Sequence, residues 1–435
     1  MPSFRILIAA AGLLLAASAP AAPARPAPAK PTAAKPAPTT PVHIELAHLL
    51  DEERAERLEP LIETFNDQQK DVRVTLVRRV EGAPAKQINL VTREEYARFM
   101  ASKGSFKPLH EVMREARQPL RTSALSPELT IGLSDGKGRL FALPLAFSTP
   151  VLYINKVAFR KAGLNPDTPP KNWADMQEAA GKLADAGSRC PYTTSWPAWI
   201  HIDNLSAWNG GEVSDAKGNL VFNSMMQVKH IAMLSTWAKS RYFVYFGRRD
   251  EADRRFANGD CAMLTSSSSL FTTLAASNTL EPGVSSLPYH DDLRGAPQNT
   301  LADGASLWIA NGMNAAETKG VAKFINYVLG PEVQINLTVA GGFLPMTPVA
   351  RAAAGSKLLE NDLIALKVAY AQLHGNSFAP LARVSQNERL HVIVEEELES
   401  VWANKKPAKE ALDNAVTRGR AVSAALPLPG GKRSQ

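Results

Sequence analysis

The chain has no GxSxG nucleophile elbow, no HExxH helix, no CxxC pair and no P-loop. The short motifs that carry acyl-transfer, zinc and nucleotide chemistry are therefore missing, and the reading is of a non-enzyme that needs no cofactor. It also has no apolar run of about 20 residues, the length needed to span a bilayer as a helix, since the apolar stretch after Arg5 is broken at Ser18 and Pro20. The two cysteines, Cys190 and Cys261, are the whole complement. Neither stands near the N-terminus, which argues against a lipid anchor on an N-terminal cysteine.

What is present first is an N-terminal basic residue, an apolar stretch and small-residue sites such as Ala22-Pro23-Ala24, the pattern of a secretory signal over residues 1–24. Residues 25–41 are a Pro/Ala/Lys/Thr mixture that cannot bury a core and reads as an extended tether. The expected location is the periplasm. In that oxidising compartment Cys190 and Cys261 can pair, closing a loop worth on the order of 4 kcal/mol; the alternative is two buried thiols on neighbouring strands. The formal charge of +7 favours anionic ligands without showing one, and several of the positive charges lie outside any core. A nucleic-acid partner is not expected.

From Val42 the chain opens β-α-β, with a strand at His43-Ile44-Glu45-Leu46, a helix burying Leu58, Leu61, Ile62 and Phe65, and a strand over Val72–Val77. Only about six residues, 81–86, precede the next apolar run, too few for a helical crossover. The first lobe therefore lacks a helix. The most informative stretch is Ser148–Leu183. Ser148-Thr149-Pro150 breaks one run and Val151-Leu152-Tyr153-Ile154 starts another as a crossing strand; Asn155 caps a short helix that Gly163 ends, and an amphipathic helix begins at Trp173. The fold expected is α/β with two lobes and hinge segments between them. The boundaries are 42–146 with 302–338 for the first lobe and 147–301 with 339–422 for the second, leaving 423–435 as a tail.

The segments STPVLYINKVAFRKAGL, PPKNW, WIHIDNLSAWNG, VKHIAML, FANGDCAM, APQN, GASLW, KGVAKFINYVLGPE, GFLPMT and HVIVEEELESVW resemble the extracellular solute-binding proteins of ABC importers in the maltodextrin-binding superfamily. Within it they are most like the glycerol-phosphate binders. The resemblance runs from about Pro144 to the C-terminus. It implies a monomer whose two lobes close over a small molecule, a phosphorylated polyol or glycerophosphodiester, and present it to ABC permease subunits. It also implies ligand contacts at Ser148, Trp196, Trp199, Ser267 and Gly304, the last through its backbone N–H.

The same resemblance points to departures. A tyrosine is missing near Glu81, Arg93 stands where a glutamate is expected unless Glu94 or Glu95 slides into that place, Phe343 replaces a tyrosine and His391 replaces an arginine. Each removes or changes a polar contact, so the ligand could differ from glycerol 3-phosphate, an oligosaccharide included, or the fold could serve as a sensor or scaffold. Arg93 either restores a positive charge from the opposite wall or starts a helix in solvent. Trp196 and Trp199 either face a ligand or fill a core, and Ser266–Ser269 alone reads as a polar turn. His290-Asp291-Asp292 reads as a solvated turn rather than a metal site, and Glu395, Glu396, Glu397 and Glu399 as the exposed face of a helix.

Overall fold

The computed structural model describes residues 40–50, 55–56, 58–80, 83–92, 95–96, 99, 102–118, 120, 125–130, 133–134, 137–215, 217–358, 360–373 and 388–423. Among the described residues, ten strands form two sheets. The first holds β1 (Val42–His48), β2 (Val72–Arg78), β3 (Ile88–Val91), β4 (Phe106–Lys107), β5 (Leu143–Ser148) and the late strand β10 (Asp303–Ala310). The second holds β6 (Pro150–Asn155), β7 (Tyr192–Thr194), β8 (Met263–Ser267) and β9 (Pro282–Ser286). In the first the order is β2-β1-β3-β10-β4 with β5 also on β10; in the second it is β7-β8-β6-β9.

The strand β1 is parallel to β2 and β3, while β10 runs antiparallel to its neighbours. Among the described residues between β2 and β3 there is no helix. The register explains why none is needed. Arg78 at the end of β2 is level with His48, and β3 enters beside Leu46 and Ala47, near the same end of β1. The connection never has to travel back down the sheet.

Local chemistry sets the helix ends. Asn155 accepts hydrogen bonds from the N–H groups of Val157 and Ala158 to start Lys156–Lys161, and Gly163 follows it at φ +70. Asn172 caps Trp173–Asp185 through the Asp175 N–H, and that helix buries Trp173, Met176, Ala179, Ala180 and Leu183 along one stripe. Asn314 and Glu317 form a capping box on Ala315–Val328.

The first core lies around the first sheet, with Trp308 fully buried among the rings of Tyr96, Phe99, Phe106 and Phe141. Leu344, Met346, Ala354, Leu358, Leu366 and Tyr370 join that same core, whereas the sequence grouped residues beyond 338 with the second lobe. Several smaller clusters fill the space around the second sheet. Cys190 and Cys261 are bonded there, with Cα atoms 4.5 Å apart and a sequence separation of 71.

The passage between the sheets is a knot of short polar contacts. Between β5 and β6 only Thr149 intervenes; its N–H donates to Ser268 Oγ (3.2 Å), its carbonyl accepts from the Ser268 N–H (2.8 Å), and its hydroxyl meets that of Thr300 (2.5 Å). Gln372 ties the second passage to the first. Its Nε2 donates to Pro150 O (2.9 Å), its Oε1 accepts from the Leu287 N–H (2.6 Å) and its carbonyl from the Thr300 N–H (2.8 Å). A third passage follows Gly342, φ +64, where an added Cβ would come within 2.5 Å of Ser269 O, and the Leu344 N–H then donates to Phe147 O (2.8 Å).

Candidate functional site

Two strand ends from different sheets meet at a pair of serines. Ser148 ends β5, and Ser267 ends β8, whose residues pair with β6 so that Ser267 faces Pro150. Ser267 Oγ donates to Ser148 Oγ (2.7 Å), shares a proton with Ser269 Oγ (2.6 Å) and accepts from the Ser269 N–H (3.1 Å). The Tyr153 hydroxyl fixes the main chain beneath by donating to Ser267 O (2.8 Å). Hydroxyls that already bond to one another can turn toward an incoming oxyanion or polyol without first being desolvated alone.

Beside this point β7 ends at Thr194, whose register partner is Thr265 on β8. Trp196 follows two residues after that strand end. Its φ of +51 is a left-handed value that a bulky residue seldom adopts. Pro197 opens the helix that follows, Ile200 N–H donates to Trp196 O (3.0 Å), and a π-helical turn runs Trp199–Asn204. Trp199 is 2 % exposed and packs with Ile200, Trp208 and Leu287, with Trp196 and Tyr289 at the edge. Trp199 thus lies in the second lobe's core as well as one turn from Trp196. The Arg249 guanidinium lies 5.4 Å from the centre of the Trp196 ring, and the Trp196 N–H donates to Arg249 O (3.0 Å).

Behind the strand ends the polar groups form a continuous line. His290, His230 and His201 bond ring to ring, at 3.1 Å for His230 Nδ1 to His290 Nε2 and 3.0 Å for His201 Nδ1 to His230 Nε2. The Tyr192 hydroxyl meets His201 Nε2 (3.3 Å) and Thr265 Oγ1 (2.7 Å), and Thr265 Oγ1 donates to Thr194 Oγ1 (2.8 Å). Each neutral imidazole has one N–H, so the donors of the three rings must all point the same way. Burial holds the His201 ring down at about 3 and lowers His230, where the two flanking histidines add to the effect; burial also lowers His290, opposed by Asp291 and Asp292. The rings are neutral at pH 7. Next to this line, Ser195 Oγ donates to Asp253 Oδ1 (2.6 Å), and burial lifts the Asp253 carboxyl to about 7.

The other expected residues fall as follows. The Gly304 N–H donates to the Asp303 carboxylate (2.6 Å), and a Cβ there would lie 1.9 Å from Ala146 O, so β10 approaches β5 as only glycine allows. Phe343 is half-buried after the Gly341-Gly342 turn. His391 is 3 % exposed with Nε2 2.7 Å from Asp203 Oδ2, on a residue of the Trp199 turn. Arg93 lies outside the described residues. In the first sheet, Arg79 binds the carboxylate of Glu95 and donates to Leu90 O (2.6 Å).

The glutamates of the Glu388–Trp402 helix are not a solvated face. Glu395 and Glu397 are buried, Glu397 meets Lys406 (2.6 Å) and Arg418 (2.8 Å), and Glu399 takes a fork from Arg248 (2.8 and 2.6 Å) and a hydrogen bond from the Tyr245 hydroxyl (2.8 Å). His290 is likewise an end of the histidine line rather than only a solvated turn. Among the described residues no group of three or more His, Cys, Asp or Glu side chains could hold a metal ion.

The model of the family described as bacterial extracellular solute-binding protein matches residues 61–363. The chain belongs to this family. Among its relatives, the sn-glycerol-3-phosphate-binding periplasmic protein UgpB of Pectobacterium atrosepticum is 36% identical over 401 residues, 86% of this chain and 90% of that one. The protein of the same name from Escherichia coli O6:K15:H31 is 36% identical over 398 residues, with the same coverage. Among solved structures, UgpB from Mycobacterium tuberculosis in complex with glycerophosphocholine has a TM-score of 0.72 at 21% identity, covering 88% of this chain and 98% of that one. Maltose-bound MalE3 of T. maritima has a TM-score of 0.70 at 16% identity, covering 88% and 100%.

In this solute-binding protein the residues that sequence reasoning did not single out are Arg249, Asp253, His201, His230 and Arg79, the partner of Glu95. Only Arg249 carried a usable signal, as part of a basic pair placed just before the Glu251–Ala257 helix. The others are polar residues whose partners come from distant elements.

Proposed function

We propose that this solute-binding protein captures a glycerol-3-phosphate-class ligand, the monoester or a glycerophosphodiester, in the periplasm and delivers it to an ABC importer. The observation that carries the reading is identity of about 36% to glycerol-3-phosphate-binding proteins over 86% of the chain. The Ser148–Ser267 bridge supports it, because it puts hydroxyls from two sheets at one point. A ligand that engages both strand ends favours the conformation in which they are close, so binding and closure are one equilibrium. The protein would act as a monomer, exported by its N-terminal signal, and release its ligand unchanged.

The test is calorimetric titration of the mature protein with sn-glycerol 3-phosphate, glycerophosphocholine and maltotriose. Saturable binding of either phosphate ester, with a raised melting temperature, is expected. Binding of maltotriose alone would overturn the assignment. Ser267→Ala should weaken the phosphate ester by about tenfold, the scale of one hydrogen bond to a charged group.

A further inference from the structure

We infer that Asp253 is a positioning residue beneath the ligand-contacting end of β8, and that the protein takes up a proton there when it binds a ligand's anionic phosphate. The inference rests on the glycerophosphate reading above. Asp253 lies on the Glu251–Ala257 helix, and its Oδ1 accepts from Ser195 Oγ (2.6 Å) just past the end of β7. The Ser195 N–H donates in turn to Thr265 O (3.0 Å) on β8. The Ser266 hydroxyl faces the same carboxyl without making a full hydrogen bond, and Ser195 and Ser266 are both fully buried. Ser267 is the next residue. From β6 the Tyr153 hydroxyl, which holds Ser267 O, is also within reach of the Asp253 charge.

Protonation changes what this carboxyl can do. Ionised, it only accepts; protonated, it can accept from Ser195 at one oxygen and donate from the other to Ser266, joining the ends of β7 and β8. Burial lifts it to about 7, the Asp250 and Glu251 charges of its own helix push the same way, and the Ser195 and Ser266 hydroxyls oppose them. A phosphate held by the Ser267 hydroxyl would bring another negative charge to the next residue, which favours the neutral acid further. Without ligand the group loses its proton as pH rises through about 7. With the anion bound it keeps the proton to a higher pH, so affinity is greatest on the acid side and falls above that point. The histidine line reaches the same strands through Tyr192 and Thr265, but its lowered rings take up protons only at lower pH.

The experiment is calorimetry with glycerophosphocholine on the wild type and Asp253→Asn at about pH 6, 7.5 and 8.5, each in two buffers of different ionisation enthalpy. A phosphodiester does not titrate in this range, unlike a monoester with its second pKa of about 6, so any proton taken up goes to the protein. The wild type should take up a fraction of a proton per ligand at the middle pH and almost none at the lowest, with affinity several-fold weaker at the highest pH than at the lowest. In Asp253→Asn, a neutral isostere, both the uptake at the middle pH and the fall in affinity should vanish. Wild-type binding that is independent of buffer at the middle pH, or uptake that persists in Asp253→Asn, overturns the inference and leaves the glycerophosphate reading standing. If the variant fails to fold, infrared difference spectra of the wild type decide. Ligand should add the C=O band of a protonated carboxyl, and the lack of that band overturns the inference. Wild-type protein that binds neither glycerophosphocholine nor glycerol 3-phosphate removes the glycerophosphate reading and the inference with it.

Discussion

The two sheets are stabilised by different means. Around the first, the largest buried side chain is Trp308, enclosed by four aromatic rings, with His48, Asn89, Glu95 and Ser306 buried as separate polar groups rather than as one line. Around the second, the interior holds a disulfide, the three-histidine line, and buried Thr193, Thr194, Thr265 and Asp253 hydrogen bonds. An apolar core is tolerant of pH and indifferent to direction. A satisfied polar core fixes one arrangement and makes that arrangement depend on protonation. Ser267 ends one strand of the second sheet and Trp196 follows two residues after another, and the polar framework lies behind both strand ends.

The strongest way to break the comparison is to remove the mainstay of each half. Reducing Cys190–Cys261, or replacing both cysteines by serine, releases a loop of 71 residues and should cost about 4 kcal/mol in the chain-entropy model. Trp308→Ala should cost the first core a similar amount, about 3 to 5 kcal/mol. Chemical denaturation with and without reductant measures both. Reductant should lower the midpoint of the wild type and of Trp308→Ala but leave the double-serine variant unmoved; a reductant-insensitive wild type would mean the bond does not stabilise the fold.

Next in size is the response to acid, which should arise chiefly in the second half; from the first comes His48 on β1, whose ring is lowered by burial and by Arg78 and Arg79. The histidines of the line have lowered folded-state pKa values, so the unfolded chain binds protons first and stability falls as pH drops below about 6.5. His201, held down at about 3, contributes a loss of roughly 1.4 kcal/mol per pH unit between those limits. His230 adds to it. His290 adds less, since Asp291 and Asp292 offset its burial while Lys229 deepens it. Asp253 has the opposite sign. Its carboxyl is lifted to about 7, so the folded state takes up its proton first and gains stability as pH falls from 7 toward about 4.

Asp253→Asn keeps an acceptor for the Ser195 hydroxyl and removes that titration. It should be more stable than wild type at pH 8 and show a steeper acid loss, read from urea midpoints at pH 8, 6.5 and 5. Parallel pH profiles for the two proteins would sink this account.

How much of this could be read from the sequence depends on whether the signal was local. The crossing strand β6, its Asn155 cap, the Gly163 stop and the Trp173 helix are settled by neighbours a few residues away, and they stand where expected. So does the absence of a helix between β2 and β3 among the described residues, a matter of chain length. The histidine line was invisible because its links are 29 and 60 residues apart, and each ring alone looks like an ordinary core or surface histidine. The glutamate run misled for the same reason. Arg248, Lys406 and Arg418 reach Glu396, Glu397 and Glu399 from other elements, and spacing along one helix cannot show that. The pairing of His391 with Asp203, 188 residues away, is equally out of reach of local spacing.

The smallest effect on stability, and the sharpest on the relation between the halves, is expected at Gly342. It sits at φ +64 where the chain returns between the sheets, and a Cβ would meet Ser269 O at 2.5 Å and Ser269 Cα at 2.7 Å. Gly342→Ala must therefore move two main chains apart as well as occupy a left-handed conformation, a cost of about 1 to 2 kcal/mol. Ser269 shares its hydroxyl proton with Ser267, and Ser267 bonds to Ser148. The shift should loosen the serine group without touching the Trp196–Arg249 pair. Ligand affinity is expected to fall by more than the melting temperature would suggest, and the deficit should be the same for phosphorylated ligands of either charge. A loss confined to the doubly charged monoester would instead mean that the return passage acts on the ligand's charge rather than through the serine hydroxyls, and would place the division of labour within the second sheet rather than between the two.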